Sequence, residues 1–294
     1  MLNVDGFLDY LRYELNRSER TIDNYADDLC AFEAYFKSLS DSITWETVDS
    51  EVIRGWMESM VDKGNKATSV SRRLSALRTF YRYALSRHLI NSDPVYGILA
   101  PKRAKPLPQF LKEDEVNRLL DKSNWNDDYE EVRARTIILT FYETGVRLSE
   151  LIGLNDGSID FVSKQIKVLG KGNKERVIPF GEELCETLKD YLNIRNHTVN
   201  KMSSAFFLDD KGRRMKSDAV RRMVKQRLST FCSLKKKSPH VLRHTFATAM
   251  LNHDAGIESL KRLLGHAKLS TTEIYAHTTF ELFKRVYNEA HPRA

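Results

Sequence analysis

Apolar side chains in the first hundred residues recur at helical spacing. Phe7, Leu8, Leu11 and Leu15 form one stripe, and Ile22, Tyr25, Leu29, Phe32 and Phe36 a second. Val52, Ile53, Trp56, Met57 and Met60 form a third, and Val70, Leu74, Leu77, Tyr81 and Leu85 a fourth. Residues three or four apart share a helix face, so each stripe predicts a helix with one side turned to a core. Residues 1–100 therefore read as a small bundle of four or five helices. The run Ala100-Pro-Lys-Arg-Ala-Lys-Pro-Leu-Pro108 carries three prolines, which forbid a helix and favour an extended, semi-stiff connector over 101–109. From 110 to 294 the pattern is mixed. Residues 112–122, 129–144 and 148–154 predict helices. Ile159-Asp-Phe161, Gln165-Ile-Lys-Val-Leu169 and Glu175-Arg-Val-Ile178 predict short strands, with Gly170-Lys-Gly-Asn-Lys174 as a turn, and helices resume from Glu182. The expected fold class is mainly α with a small β-sheet, in two domains.

Charge refines the picture. The 294 residues carry a net charge of +7, unevenly placed. Residues 1–100 hold 12 basic and 15 acidic side chains, and the remaining 194 hold 35 and 25. Residues 63–92 carry seven Lys or Arg and no acid, and Lys211 to Lys237 has 11 basic residues opposed only by Asp218. Two separated basic blocks suit a polyanion gripped at two places; solvated helix faces are the plainer alternative. In the fourth stripe Arg73 and Arg78 border the apolar face, while Arg72 and Arg82 lie on the polar side, where phosphates are within reach. Arg72, Arg73, Arg78, Lys174, Arg221 and Arg222 are the candidate DNA-binding residues. No apolar run approaches the roughly 20 residues that cross a bilayer, and the opening Met-Leu-Asn-Val-Asp is not a secretion signal. The three cysteines Cys30, Cys185 and Cys232 are far apart, which predicts core residues in a reduced, cytoplasmic protein without a membrane partner.

Four segments beyond the connector carry candidate chemistry. In Thr144-Gly-Val-Arg-Leu-Ser-Glu-Leu151, Gly145 can end one helix in the left-handed conformation so that Arg147 opens the next. A cation at a helix start opposes the dipole unless an anion is near, either a phosphate or Glu150 three residues on. Lys171 stands between two glycines at a hairpin tip. Ser238 and Pro239 are suited to start a helix on which His240 and Arg243 share a face. His240 and His244 have metal-ligand spacing, but the companion Glu of a zinc helix is missing and Arg243 repels a cation, so no metal is expected. Ser270 and Glu273 have capping-box spacing, which places Tyr275 early on a short helix after His266. Two Arg, two His, one Lys and one Tyr are the set that moves a phosphodiester onto a phenol. Guanidiniums offset charge gathering at phosphorus, and a lysine or imidazole supplies the proton to the leaving oxygen.

These segments, Gly145-Val-Arg-Leu-Ser-Glu-Leu151, the Lys171 hairpin, His240-x-x-Arg243, Leu264-Gly-His266 and Tyr275, resemble in order and spacing those of the tyrosine recombinases. The ending Val286-Tyr-Asn-Glu-Ala-His-Pro-Arg-Ala294 looks like the bacterial Xer branch. The resemblance spans the chain and implies a helical, SAM-like core-binding domain over 1–100, the linker 101–109, and an α+β catalytic domain over 110–294. It implies that Tyr275 attacks the scissile phosphate to form a 3′-phosphotyrosyl link. Arg147 and Arg243 would clamp that phosphate, Lys171 protonate the leaving 5′ oxygen, His240 handle the tyrosine proton, and His266 donate a hydrogen bond. No cofactor or ATP is implied. Double-stranded DNA is the implied partner, held by a homo- or hetero-tetramer on paired sites, with a paralogous recombinase and a septal DNA translocase as further possible partners. A protomer-docking tail over Phe280 to Ala290 is implied too, against the alternative that Phe280, Phe283, Val286 and Tyr287 pack on their own domain. The role implied is resolution of chromosome or plasmid dimers. The integrase of a mobile element, a type IB topoisomerase and an inactive DNA-binding regulator are the alternatives.

Overall fold

Among the described residues, four α-helices build the first of two units into which the chain divides in this computed structural model, Met1–Pro106 and Leu107–Ala294. The structure describes residues 2–102, 109–170, 174–253, 256, 259–260, 263–264 and 286–293. In the first unit α1 (Val4–Asp9) runs into a π-turn over Tyr10–Glu14, a feature the stripe did not predict, and Leu15 at its end is exposed. Then come α2 (Glu19–Leu39), α3 (Ser50–Asp62) and α4 (Ala67–Ser86). Asp49 starts α3 by accepting from the backbone N–H of Glu51 and Val52, both at 3.0 Å. The four stripes meet in one core, with Ile22, Leu29, Phe32, Phe36, Ile53, Trp56, Leu74, Leu77 and Tyr81 buried. Trp45, in the loop before α3, stacks edge-on to Phe36 and Phe80 at 5.2 and 4.7 Å and fills the centre. Leu85, at the end of the fourth stripe, is exposed.

The second unit is arranged around α6 (Tyr129–Thr144), which is buried on nearly every side from Arg133 to Thr144. A helix enclosed all round needs apolar contact in every direction. Here α8 (Glu182–Thr198) and α10 (Pro239–Asn252) supply it, while α5 (Glu113–Leu120) and α9 (Ser217–Phe231) pack against each other and against α6. Ile137, Ile138 and Phe141 are wholly buried, each contributing about 1.5–3 kcal/mol. A three-stranded antiparallel sheet, in the order β1 (Ile159–Asp160), β2 (Gln165–Leu169), β3 (Glu175–Pro179), covers α7 (Leu148–Gly153). The register pairs Ile166 with Ile178 and Leu169 with Glu175. The mostly helical architecture with a small sheet is the expected one. Cys185 and Cys232 are buried as expected, but Cys30 is exposed, because its position on α2 falls outside the apolar stripe.

The chain's end returns to its own unit. Residues 286–290 are helical, and Tyr287 and Ala290 are buried in a cluster with Phe246 and Met250 of α10 and with Leu260, Leu263 and Leu264. Tyr287, and in part Val286, thus pack within their own unit, as the own-domain alternative has it: an apolar stripe needs cover, and α10 provides it within the same chain. Phe280 and Phe283 lie outside the described residues.

Candidate active site

Three of the six expected catalytic residues lie among the described residues, and the fold brings them together. Gly145 ends α6 in the left-handed conformation (φ 58°), as its place in the sequence predicts. A Cβ there would lie 2.4 Å from the Phe246 ring, so both the turn and the close packing require glycine. The reversal puts Arg147 at the N-cap of α7. Its backbone N–H donates to Glu150 Oε2 at 2.7 Å and its Nη1 to Oε1 at 2.8 Å, so the helix start is balanced by the carboxylate three residues on.

Arg243 comes from the second turn of α10. Pro239 occupies the first turn as expected, although the Ser238 side chain makes no capping hydrogen bond. The buried Arg243 guanidinium donates through Nη1 to the Gly145 carbonyl and through Nη2 to the Leu264 carbonyl at 2.6 Å. It is thereby fixed between the turn that delivers Arg147 and the segment that precedes His266. Burial, then repulsion from Arg147, lowers its pKa to about 10, so it stays charged at neutral pH. His240, one turn earlier, is exposed. Burial of part of its ring, then His244, Arg243, Arg221 and Arg147, holds its pKa below the ordinary histidine value. A neutral imidazole beside two guanidiniums can accept a proton. Lys171, His266 and Tyr275 lie outside the described residues. The β2–β3 pairing that flanks Lys171 closes with Gly170 N–H donating to the Lys174 carbonyl at 2.8 Å.

Arg176 belongs to this cluster and was not singled out in the sequence. Its Nη1 and Nη2 donate to the two oxygens of Glu150 at 2.6 and 2.8 Å, and its Nε to the Leu263 carbonyl at 3.0 Å. Burial alone would raise the Glu150 carboxyl, but the hydrogen bonds and charges of Arg176 and Arg147 prevail and hold it at about 2. The signal was available in the strand period. Arg176 stands two residues before Ile178 and pairs with Val168, so it faces the same buried side as both. A charge on the inner face of a strand requires an internal partner.

The DNA-binding candidates divide by exposure. Lys174 and Arg222 are exposed, and Arg221, also exposed, pairs with Asp218 at 2.8 Å. In the first unit Arg72 forks onto the buried Asp28, with Nη2 at 2.7 Å from Oδ1, and keeps about half its side chain in solvent. Arg73 is turned inward, Nε 3.6 Å from Asp28 and Nη1 3.2 Å from the Met60 sulfur. Arg78 donates to the Ile98 carbonyl. Among the described residues no group of three or more His, Cys, Asp or Glu could hold a metal ion, and no helix is long and apolar enough to cross a membrane.

The chain can be set beside known proteins. The phage integrase family matches residues 109–281, and the phage integrase N-terminal SAM-like domain matches residues 4–88. The chain is 36% identical to the tyrosine recombinase XerC of Pelotomaculum thermopropionicum, over 100% of this chain and 99% of that one. It is 32% identical to the tyrosine recombinase XerD of Oceanobacillus iheyensis, over 99% and 98%. The integrase of the Tn1549 transposon, solved in complex with circular-intermediate DNA, shares the fold, with a TM-score of 0.73 at 19% identity over 96% of this chain and 99% of that one. Arg147, His240 and Arg243, brought together by the α6–α7 turn and α10, thus sit in a fold shared with the transposon integrase and a sequence shared end to end with the Xer enzymes, and the chain belongs to the phage integrase family, in its Xer branch of tyrosine recombinases.

Proposed function

We propose that this chain is a site-specific recombinase that cuts and rejoins double-stranded DNA through a 3′-phosphotyrosyl link to Tyr275. The observation that carries the reading is the pair Arg147 and Arg243, fixed by Glu150 and by two backbone carbonyls, with the low-pKa His240 beside them. Such a pair can bind the two non-bridging oxygens of a phosphodiester and offset the charge that gathers as phosphorus becomes pentavalent. The Tyr275 oxygen attacks phosphorus and the 5′ oxygen leaves. His240, neutral at pH 7, takes the phenolic proton, Lys171 gives one to the departing oxygen, and His266 donates a hydrogen bond to the phosphate. The new phosphodiester to tyrosine keeps the energy of the old one, so a second 5′ hydroxyl can reverse the step without ATP.

Four protomers on two DNA sites would exchange one strand pair at a time, in the setting of chromosome or plasmid dimer resolution. A paralogous recombinase and a DNA translocase are the partners this reading anticipates. The exposed Arg72, Lys174, Arg221 and Arg222 would meet phosphates, whereas the inward-turned Arg73 and Arg78 would brace α4, which presents Arg72.

The test is a duplex nicked just beyond the cleavage point, which lets the freed strand diffuse away and traps the adduct. The wild-type chain is expected to give a covalent protein–DNA band in denaturing gels, and Tyr275→Phe to bind the same DNA and give none. An adduct retained in Tyr275→Phe reassigns the nucleophile. Sequencing the DNA attached to the protein in cells then reports the target, and with it the dimer-resolution role.

A further inference from the structure

Arg176 engages three catalytic segments at once. Its strand, β3, begins four residues after Lys171. Its two terminal nitrogens hold Glu150, which holds Arg147, and its Nε holds the Leu263 carbonyl, three residues before His266. The next carbonyl, that of Leu264, is held by Arg243. Successive carbonyls ahead of His266 are therefore each fixed by a guanidinium, one from β3 and one from α10.

Charge gives this arrangement a second consequence. Glu150 is buried and ionised, and a carboxylate facing Arg147 alone would cancel that guanidinium's charge. Arg176 shares the same carboxylate through both oxygens, 2.6 Å at its nearest. Two guanidiniums share the one carboxylate, so Arg147 does not neutralise Glu150 alone.

We infer that Arg176 is a positioning residue for strand cleavage. It takes up Glu150 so that Arg147 keeps its charge for the scissile phosphate, and it ties β3 to the segment leading to His266. The inference rests on the reading above, in which Arg147 binds that phosphate. Arg176 itself need not touch DNA.

The experiment uses the full chain and nicked DNA in two forms, one with an ordinary scissile phosphate and one with a methylphosphonate, which has no charge to balance. Single-turnover cleavage, DNA affinity and thermal unfolding are measured for wild type, Arg176→Gln and Arg176→Lys. Arg176→Gln is expected to bind ordinary DNA within a few-fold of wild type and to cleave it on the order of 100-fold more slowly. On methylphosphonate DNA its deficit should shrink at least tenfold. Wild-type cleavage by Arg176→Gln, or an equal deficit on both DNAs, overturns the inference. Should Arg176→Gln fail to fold, Arg176→Lys decides: slower cleavage at unchanged affinity and unfolding temperature supports the inference, and a wild-type rate overturns it. A wild-type chain that forms no adduct sinks the recombinase reading and this inference with it, whereas a cleaving wild type beside an equally fast Arg176→Gln sinks the inference alone.

Discussion

Glu150 accepts four hydrogen bonds from two arginines while almost wholly enclosed, and this makes it the residue on which the site's charge balance turns. Glu150→Gln would take from Arg147 and Arg176 the carboxylate that both hold. Breaking a buried pair in this way costs about 3–5 kcal/mol, so urea unfolding is expected to show a loss of that order at pH 7. The pH dependence has a definite sign. The folded carboxyl lies at about 2, below its ordinary value of 4.5, so its stabilisation is present above 4.5 and is lost as pH falls toward 2. The Glu150→Gln loss should therefore diminish in acid, and a loss unchanged between pH 7 and pH 3 would speak against the pairing. The Arg147–Glu150 half of this cluster was legible as a three-residue spacing on one helix. The strand period marks Arg176 as an inward-facing charge but does not name its partner, which depends on a strand register that pairs residues 168 and 176 and on a carboxylate 26 residues away. Sequence spacing reports neighbours along one element and is silent about neighbours across elements.

Elements followed the same logic. The helices over 113–120, 129–144 and 148–153 and the three strands fall where hydrophobic period and glycine placed them, since local pattern decides element type. The packing of the chain's end was not legible in this way, because an apolar stripe does not say which surface covers it. The cover here includes polar groups. Tyr287 donates to Glu143 Oε2 at 3.0 Å, as does the Gly181 N–H, and Tyr287 stacks on His291 at 4.9 Å. Burial pushes Glu143 up to about 8 and His291 down to about 4. The two act oppositely on stability. A buried carboxyl raised from 4.5 to 8 favours the fold less and less across that interval, whereas a buried imidazole lowered from 6.5 to 4 favours it more as pH rises from 4 to 6.5. Between pH 6.5 and 8 only Glu143 contributes, so the unfolding temperature should decline over that window. Glu143→Gln, which has no proton to lose, should flatten the decline and be the more stable form at pH 8. An unchanged decline in Glu143→Gln would mean that the carboxyl is not protonated in the fold.

At the scale of the whole molecule the question is which positive charges meet DNA and which hold protein together. The chain's two basic blocks look alike in sequence, but the structure uses them differently. In the first unit Arg73 is spent on Asp28 and Met60, and Arg78 on the Ile98 carbonyl. On α9, Arg222 and Lys225 stand in solvent. Each phosphate neutralised by a protein cation releases a condensed counterion, so the logarithm of affinity falls with the logarithm of salt by about 0.9 per contact. Arg222→Gln should therefore leave the unfolding temperature unchanged, weaken binding at low salt, and make the salt slope shallower by roughly one. Arg73→Gln should do the reverse. Asp28 would lose part of its counter-charge inside the bundle, unfolding would come earlier, and the salt slope of the folded protein would stay as it was. Titrations of both variants between 50 and 200 mM salt, run below their unfolding temperatures, separate the two uses of arginine. Slopes that change equally in the two variants would mean that the inward-turned guanidinium swings out to the DNA, and that Asp28 releases it when DNA binds.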